Sequence, residues 1–283
     1  MKPTTRQGAE GYAAVLRNPA GALIAFDFDG TLAPIVDDPA AARAHPQAAS
    51  ALARLAPLVG TVAIITGRPA AVAVEYGSFE RVEGLIVLGQ YGLERWAGGV
   101  LTTAPPPPGV AAVREKLPRV LAAAGAPAEV FVEDKGHALA VHTRRCAEPQ
   151  VALERLRSVL IALAERHGLI VEPGRLVLEL RPPGMDKGVA LRALCAERGS
   201  KSVMFAGDDL GDLAAYDAMD EMAIPAVKVC SGSAEVTELA ARSDLVVDGP
   251  SGVIALVTSL CDALEGKLEG NRRPPGRPED HQE

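Results

Sequence analysis

Large aromatic side chains are scarce, at 4% of 283 residues, and cysteine is scarcer still. The four cysteines, Cys146, Cys195, Cys230 and Cys261, lie at least 31 positions apart with no C-x-x-C pair. Neither a disulfide framework nor a zinc ribbon is therefore expected, and a reducing compartment is. Basic charge is also short, with 29 Lys and Arg against 36 Asp and Glu for a net charge of -7. That balance argues against the broad cationic face needed to hold nucleic acid or an anionic membrane. No charge-free, proline-free apolar run reaches the roughly 18 residues of a membrane span, and residues 1–18 are polar and mixed in charge, unlike a secretory leader. The expectation is a cytoplasmic protein with no membrane and no nucleic-acid partner, a monomer by default. P-loop, G-x-S-x-G, dinucleotide and zinc-finger patterns are all missing.

What remains is a chain that is 48% hydrophobic, ample for a buried core. Residues 22–26 (ALIAF) form a short continuous apolar run, which suits a strand covered on both faces. A helical stretch at 46–58, a second apolar run at 61–65 (TVAII) and another helical stretch from Pro69 give β-α-β-α order. Residues 85–88, 202–206 and 245–247 supply further strands, and 189–198, 212–219, 234–241 and 252–264 further helices. The fold class is α/β: a doubly wound, Rossmann-like parallel sheet assembled from both ends of the chain.

The middle differs. After a proline run at 105–108, the pattern reads helix 110–124 and strands 129–132 and 138–142 hinged on Asp134-Lys135-Gly136. It then repeats as helix 149–167 and strands 169–172 and 176–179 hinged on Pro173-Gly174. Two α-β-β units predict a small antiparallel sheet with two helices, inserted as a cap over 106–183 into a core of 15–105 and 184–265. Residues 269–283 lack large apolar side chains and are expected to be a disordered tail.

Ligands of open parallel sheets bind beyond the carboxyl ends of the strands. Asp27 and Asp29 follow the first strand, Thr66 the second, and Asp208, Asp209 and Asp212 the strand at 202–206. If these strands are neighbours, up to five carboxylates converge. A like-charged pair at about 4 Å costs roughly 4 kcal/mol at an effective dielectric near 20, so the cluster must bind protons or a cation. An all-oxygen set suits Mg2+, which completes its shell with water and phosphate. Lys187, opening a helix after Gly184-Met185-Asp186, offers a further anion contact. A carboxylate can attack phosphorus, and a second carboxyl two residues on can protonate the leaving oxygen and later activate water. Asp27 and Asp29 have that spacing. A lone D-x-D is commonly a capped turn, Asp209 or Asp212 alone could simply cap the following helix, and Asp212 reads equally well either way; the combination carries the chemistry.

The order D-x-D-G-T, strand-end Thr, isolated Lys and G-D-D-x-x-D resembles the haloacid dehalogenase-like phosphohydrolases. More narrowly, the run from Phe26 to Ile35 with Pro39, Thr66-Gly67-Arg68, Gly89-Gln90-Tyr91-Gly92-Leu93-Glu94, Glu179-Leu180-Arg181-Pro182 and Asp186-Lys187-Gly188 resembles the trehalose-6-phosphate phosphatase family. The resemblance implies Asp27 as nucleophile, Asp29 as acid and base, and Thr66, Gly67 and Lys187 as phosphate clamp. It implies Mg2+ on Asp27, Asp208 and the carbonyl of Asp29, with Asp209 and Asp212 as outer supports, and Glu133, Lys135 and Glu179 of the cap as sugar contacts. The reaction implied is hydrolysis of trehalose 6-phosphate through an aspartyl-phosphate. The alternatives are another sugar phosphate (sucrose phosphate, mannosyl-phosphoglycerate or a pseudo-disaccharide phosphate) and a catalytically silent scaffold or sensor. Gln90 and Tyr91 stand where this family often has Asn or Leu and His, and Gly211 and Leu213 stand where Thr and Glu are common.

Overall fold

The computed structural model describes residues 3–272 except 37, 106, 175 and 233–236. In chain order, the core opens with α1 (Arg6–Arg17), β1 (Ala22–Phe26), α2 (Ala48–Leu55), β2 (Thr61–Ile65), α3 (Ala70–Gly77), β3 (Leu85–Gly89), β4 (Glu94–Ala97) and β5 (Val100–Thr103). The insertion holds α4 (Pro108–Ala123), β6 (Phe131–Asp134), β7 (Leu139–His142), α5 (Pro149–Arg166), β8 (Ile170–Gly174) and β9 (Val177–Arg181). The chain then returns through α6 (Lys187–Arg198), β10 (Ser202–Gly207), α7 (Leu213–Glu221), β11 (Ala226–Gly232), α8 (Thr237–Arg242), β12 (Leu245–Asp248) and α9 (Gly249–Arg272).

The core sheet runs β12-β11-β10-β1-β2-β3-β4-β5, parallel from β12 to β3 and antiparallel for β4 and β5. Every residue of β1, β2 and β3 is buried, as expected of continuous apolar runs covered on both faces. Alternate residues of β1 enter separate cores. Ile24 and Phe26 pack with Leu52, Val74 and Leu260 of α2, α3 and α9, whereas Leu23 and Ala25 pack with Leu191, Tyr216 and Leu239 of α6, α7 and α8. Helices on both faces make the sheet doubly wound, as read from the sequence.

The second sheet runs β6-β7-β9-β8 and is antiparallel throughout. Leu139, Val141, Leu178 and Leu180 face α4 and α5 through Val110, Leu117, Leu156 and Leu160. By the two-residue strand period, the opposite face carries Glu133, Ala140, Glu179 and Glu172 in one row across the four strands. Three of the four are carboxylates, and Glu179 among them lines a cavity shared with Gly67 of the core.

Four elements escaped the pattern reading. β11 carries Lys228 mid-strand, where it is buried and reaches Asp220, so its apolar run is broken. The β4–β5 hairpin is half exposed and turns on Gly98-Gly99, both at positive φ. The buried face of α1 consists of Gly8, Gly11, Ala14 and Val15, too small to give a hydrophobic stripe. It packs closely instead: a Cβ at Gly11 would lie 2.0 Å from the carbonyl oxygen of Ala226. The first cap strand sits at Phe131–Asp134 rather than 129–132. The helix expected at 234–241 is seen as Thr237–Arg242, its first residues lying outside those described. Of the expected tail, 269–272 continue the backbone of α9, and 273–283 lie outside the described residues.

Candidate active site

Asp27 and Asp208 extend β1 and β10, the neighbouring middle pair of the six parallel strands. Phe26 pairs with Ala206, and the Asp27 N–H continues the ladder to the Ala206 carbonyl at 2.8 Å. The loop after Asp27 closes on itself, Leu32 and Ala33 both donating to the Phe28 carbonyl. At Gly30 φ is +70°, and a Cβ there would lie 1.8 Å from Asp208 Oδ2, so glycine serves both the turn and the approach of the second carboxylate. Ser231, at the end of the unforeseen β11, ties the same loop down by donating to the Gly30 carbonyl at 2.7 Å.

Of the five carboxylates, Asp27, Asp208 and Asp212 come together, each with an oxygen within 4.8 Å of the others, and all three are buried. The Lys187 ammonium enters from the start of α6, 2.9 Å from Asp27 Oδ2 and 2.7 Å from Asp212 Oδ1. Asp212 Oδ2 accepts the N–H groups of Asp208 and Asp209 at 2.8 and 3.1 Å. Asp212 is thus spent on Lys187 and the loop backbone. Asp209 is exposed and turned away, accepting from Gly211 N at 2.8 Å as a cap of the turn into α7. The carboxylate of Asp29 lies outside the cluster, held along the Nε–Nη2 edge of the Arg68 guanidinium.

Burial dominates the electrostatics. It pushes Asp27 well above the usual carboxylate range despite Lys187, with Asp212 and Asp208 adding to the rise. It pushes Asp208 up to about 8, helped by the charges of Asp212 and Asp209, and raises Asp212 against the opposing pull of Lys187. At Lys187 burial works downward, but Asp212 and Asp27 outweigh it and hold the ammonium well above its ordinary value. One lysine among three buried carboxylates leaves negative charge in excess. An all-oxygen set of this kind fits a hard divalent cation such as Mg2+, with Asp27 and Asp208 the residues placed to hold it.

Thr66 is buried at the end of β2. Its N–H donates to the Leu88 carbonyl at 3.0 Å, its carbonyl accepts from Tyr91 N at 3.1 Å, and its hydroxyl accepts from Arg68 N at 3.1 Å. Beside it, a cavity between core and cap is lined by Gly67, Tyr91, Lys135, Glu179, Arg181 and Met185. Lys135 pairs with Glu179, and Glu133 lies 3.0 Å from His142 Nε2. The hydrogen bond from His142, opposed by burial and aided by Lys135, holds the Glu133 carboxyl below its usual range. Burial, with the nearby Glu179 charge, pushes the Tyr91 phenol up to about 12, so it stays neutral. Sequence reading gave Arg68 and Arg181 no catalytic or binding part. Arg181 closes β9, where its guanidinium is buried 4.8 Å from the Tyr91 ring centroid and bonded through Nη2 to Glu172. Arginine ahead of Pro182-Pro183 carries no signal that separates a hinge from a contact.

Residues 25–249 match the trehalose-phosphatase family. The chain is similar to the trehalose-phosphate phosphatase of Mycolicibacterium paratuberculosis, 32% identical over 267 residues, which is 91% of this chain and 65% of that protein. The chain therefore spans about two thirds of the length of that relative. Among solved structures, the C-terminal domain of Candida albicans trehalose-6-phosphate phosphatase superposes with a TM-score of 0.71 at 20% identity, over 93% of this chain and 98% of that one. Aspergillus fumigatus trehalose-6-phosphate phosphatase gives 0.66 at 22%, over 93% and 100%. At these identities the structures establish a shared fold.

Proposed function

The chain belongs to the trehalose-phosphatase family, and from that premise we propose that it is an Mg2+-dependent phosphomonoesterase converting trehalose 6-phosphate to trehalose and phosphate. The observation that carries this reading is Lys187 lodged between Asp27 and Asp212 beside Asp208. Lys187 engages Asp27 Oδ2, which leaves Oδ1 to attack phosphorus. The bond from phosphorus to the sugar oxygen breaks as the Asp27–phosphorus bond forms, and Asp29 gives its proton to the leaving alkoxide. Asp29 then takes a proton from water, whose oxygen attacks phosphorus, freeing phosphate and restoring Asp27. Thr66, Gly67 and Lys187 hold the phosphate oxygens. Mg2+, held by Asp27 and Asp208 with the Asp29 carbonyl, would neutralise phosphate charge. Asp209 and Asp212 support that set from outside, Asp212 through Lys187 and the loop amides. Glu133, Lys135 and Glu179 meet the sugar hydroxyls, each of which needs a donor or acceptor to replace water.

Among the described residues no helix is long and apolar enough to cross a membrane; a cytoplasmic monomer acting on a small sugar phosphate is the accompanying proposal. Phosphate release with Mg2+ across trehalose 6-phosphate, sucrose 6-phosphate, mannosyl-phosphoglycerate and glucose 6-phosphate is the test. Trehalose 6-phosphate is expected to lead glucose 6-phosphate at least about tenfold in kcat/KM. Equal rates on the two would discard the disaccharide, and release that survives Asp27→Asn would discard the nucleophile.

A further inference from the structure

We propose that Gln90 is a positioning residue, acting through Lys135: it fixes the turn of the first cap hairpin and so places the Lys135 ammonium on the cap side of the cavity, where the sugar would lie. The proposal rests on the phosphatase reading above and adds to it a residue that does no chemistry itself.

Gln90 follows β3 on the core and is buried. Its side-chain amide meets three partners. Nε2 donates to Glu94 Oε1 at 2.9 Å and to the Lys135 carbonyl, and Oε1 accepts from His137 N at 3.3 Å. Two acceptors on the nitrogen side and one donor on the oxygen side allow a single amide orientation. Glu94 is fixed in turn, its Oε2 accepting Ala70 N at 2.7 Å at the start of α3. One core side chain therefore holds both flanks of the 135–137 turn. Arg114 braces the turn from the cap side by donating to the Gly136 carbonyl at 2.9 Å, and His137 Nε2 contacts the Ala104 carbonyl.

The backbone of Gln90 couples this grip to the phosphate side. Its N–H donates to the Arg68 carbonyl at 2.9 Å, and Tyr91 N donates to the Thr66 carbonyl at 3.1 Å. Both residues are left-handed, with φ of +47° and +58°. Non-glycine residues adopt that conformation at a cost, which persists only where surrounding contacts impose it. The two consecutive residues hold the cap at two places, Gln90 at the first hairpin and Tyr91 beneath Arg181 at the exit strand. The Lys135 ammonium, paired with Glu179, is fixed along one edge of the cavity that Gly67 lines from the core.

The test is Gln90→Met, which keeps length and volume and removes all three side-chain bonds, in the full chain with Mg2+. Amide exchange at Gly136 and His137 is expected to quicken at least tenfold, while amides of β1 and β10 keep their protection. The kcat/KM for trehalose 6-phosphate is expected to fall about tenfold, chiefly through KM, against less than twofold for p-nitrophenyl phosphate, which has no sugar for Lys135 to meet. Gln90→Glu, which sets a second carboxylate against Glu94, should move every readout further in the same direction. Unchanged exchange in the 135–137 turn, or parallel loss on both substrates, would overturn the proposal. Failure of the wild-type chain to turn over trehalose 6-phosphate would strike the parent reading alone, since the exchange result does not depend on the substrate.

Discussion

The Arg68 guanidinium meets the Asp29 carboxylate through two parallel hydrogen bonds, Nε to Oδ2 and Nη2 to Oδ1, each 2.7 Å. Arg68 is itself seated beside the rings of Phe28 and Tyr76, 5.7 and 5.3 Å from their centroids. A fork of this kind occupies both carboxylate oxygens and is among the stronger side-chain pairs. On the proposed mechanism Asp29 cannot pass a proton from that arrangement, so the pair would have to part when a phosphate ester enters. Asp29→Asn is expected to lower kcat by about 10²–10⁴, and Arg68→Ala by no more than about tenfold because it removes the restraint and not the acid. Steady-state kinetics on the two variants decides. Equal losses would place the guanidinium on the substrate itself.

Stability of the metal-free protein should depend on pH in a direction set by the aspartates. Asp208 is pushed up to about 8 by burial, with Asp212 and Asp209 adding to it, whereas an unfolded Asp titrates near 4. The folded state then binds the extra proton more tightly, so stability falls as pH rises from about 4 to about 8. Asp27 and Asp212 shift in the same sense. Lys187 is raised and stays charged in both states across this window, so it does not change the sign. Melting with chelator is expected to show a clear drop in Tm between pH 5 and pH 8. Mg2+ at a hundred times its Kd should add about 2.7 kcal/mol and flatten the drop. Identical slopes with and without Mg2+ would mean that the cation does not replace those protons.

Lys187→Met strands two buried carboxylates at once. Breaking a buried ion pair from one side costs about 3–5 kcal/mol, and about 2–4 °C of Tm accompanies each kcal/mol in a domain of this size. A fall on the order of 10 °C is expected in chelator, partly recovered by Mg2+, together with loss of phosphate release. Circular dichroism melts supply the number. A variant as stable as the wild type would show that the aspartates are protonated and do not depend on the ammonium.

Gly30→Ala strikes metal affinity more than the fold. The left-handed backbone at φ +70° costs a side chain about 1–2 kcal/mol, and the new Cβ would lie 1.8 Å from Asp208 Oδ2. Asp208 has to swing aside. Titrating Tm with Mg2+ should show an apparent Kd at least about tenfold weaker, an effect of about 1.4 kcal/mol or more. An unchanged Kd would remove Asp208 from the ion's ligands.

The chain displays its central strands openly because their side chains are buried on both faces, and its strand-end acids openly because such clusters have few other uses. What Asp29 does was not legible, and for Asp209 a cap and a support of the metal set read alike. Both stand within the motif, yet one caps a turn and the other is held by Arg68, and only three-dimensional partners separate those outcomes from metal ligation. β11 stayed hidden because Lys228 interrupts it, and Ser231 was hidden with it. Gln90 showed only as a departure from a familiar motif. Its partners Lys135, His137 and Glu94 become neighbours only once the cap folds back onto the core.

Asp27 and Asp208 sit at the tips of the middle pair of the six parallel strands, flanked on either side and covered above and below. The pair cannot drift apart unless the whole sheet gives way, whereas the inserted layer meets the core near the site through the Gln90 amide, the contact of His137 with the Ala104 carbonyl and the Arg181 guanidinium stacked on Tyr91. Gradual warming should therefore blunt discrimination among sugars well before it ends the ability to cleave small phosphate esters.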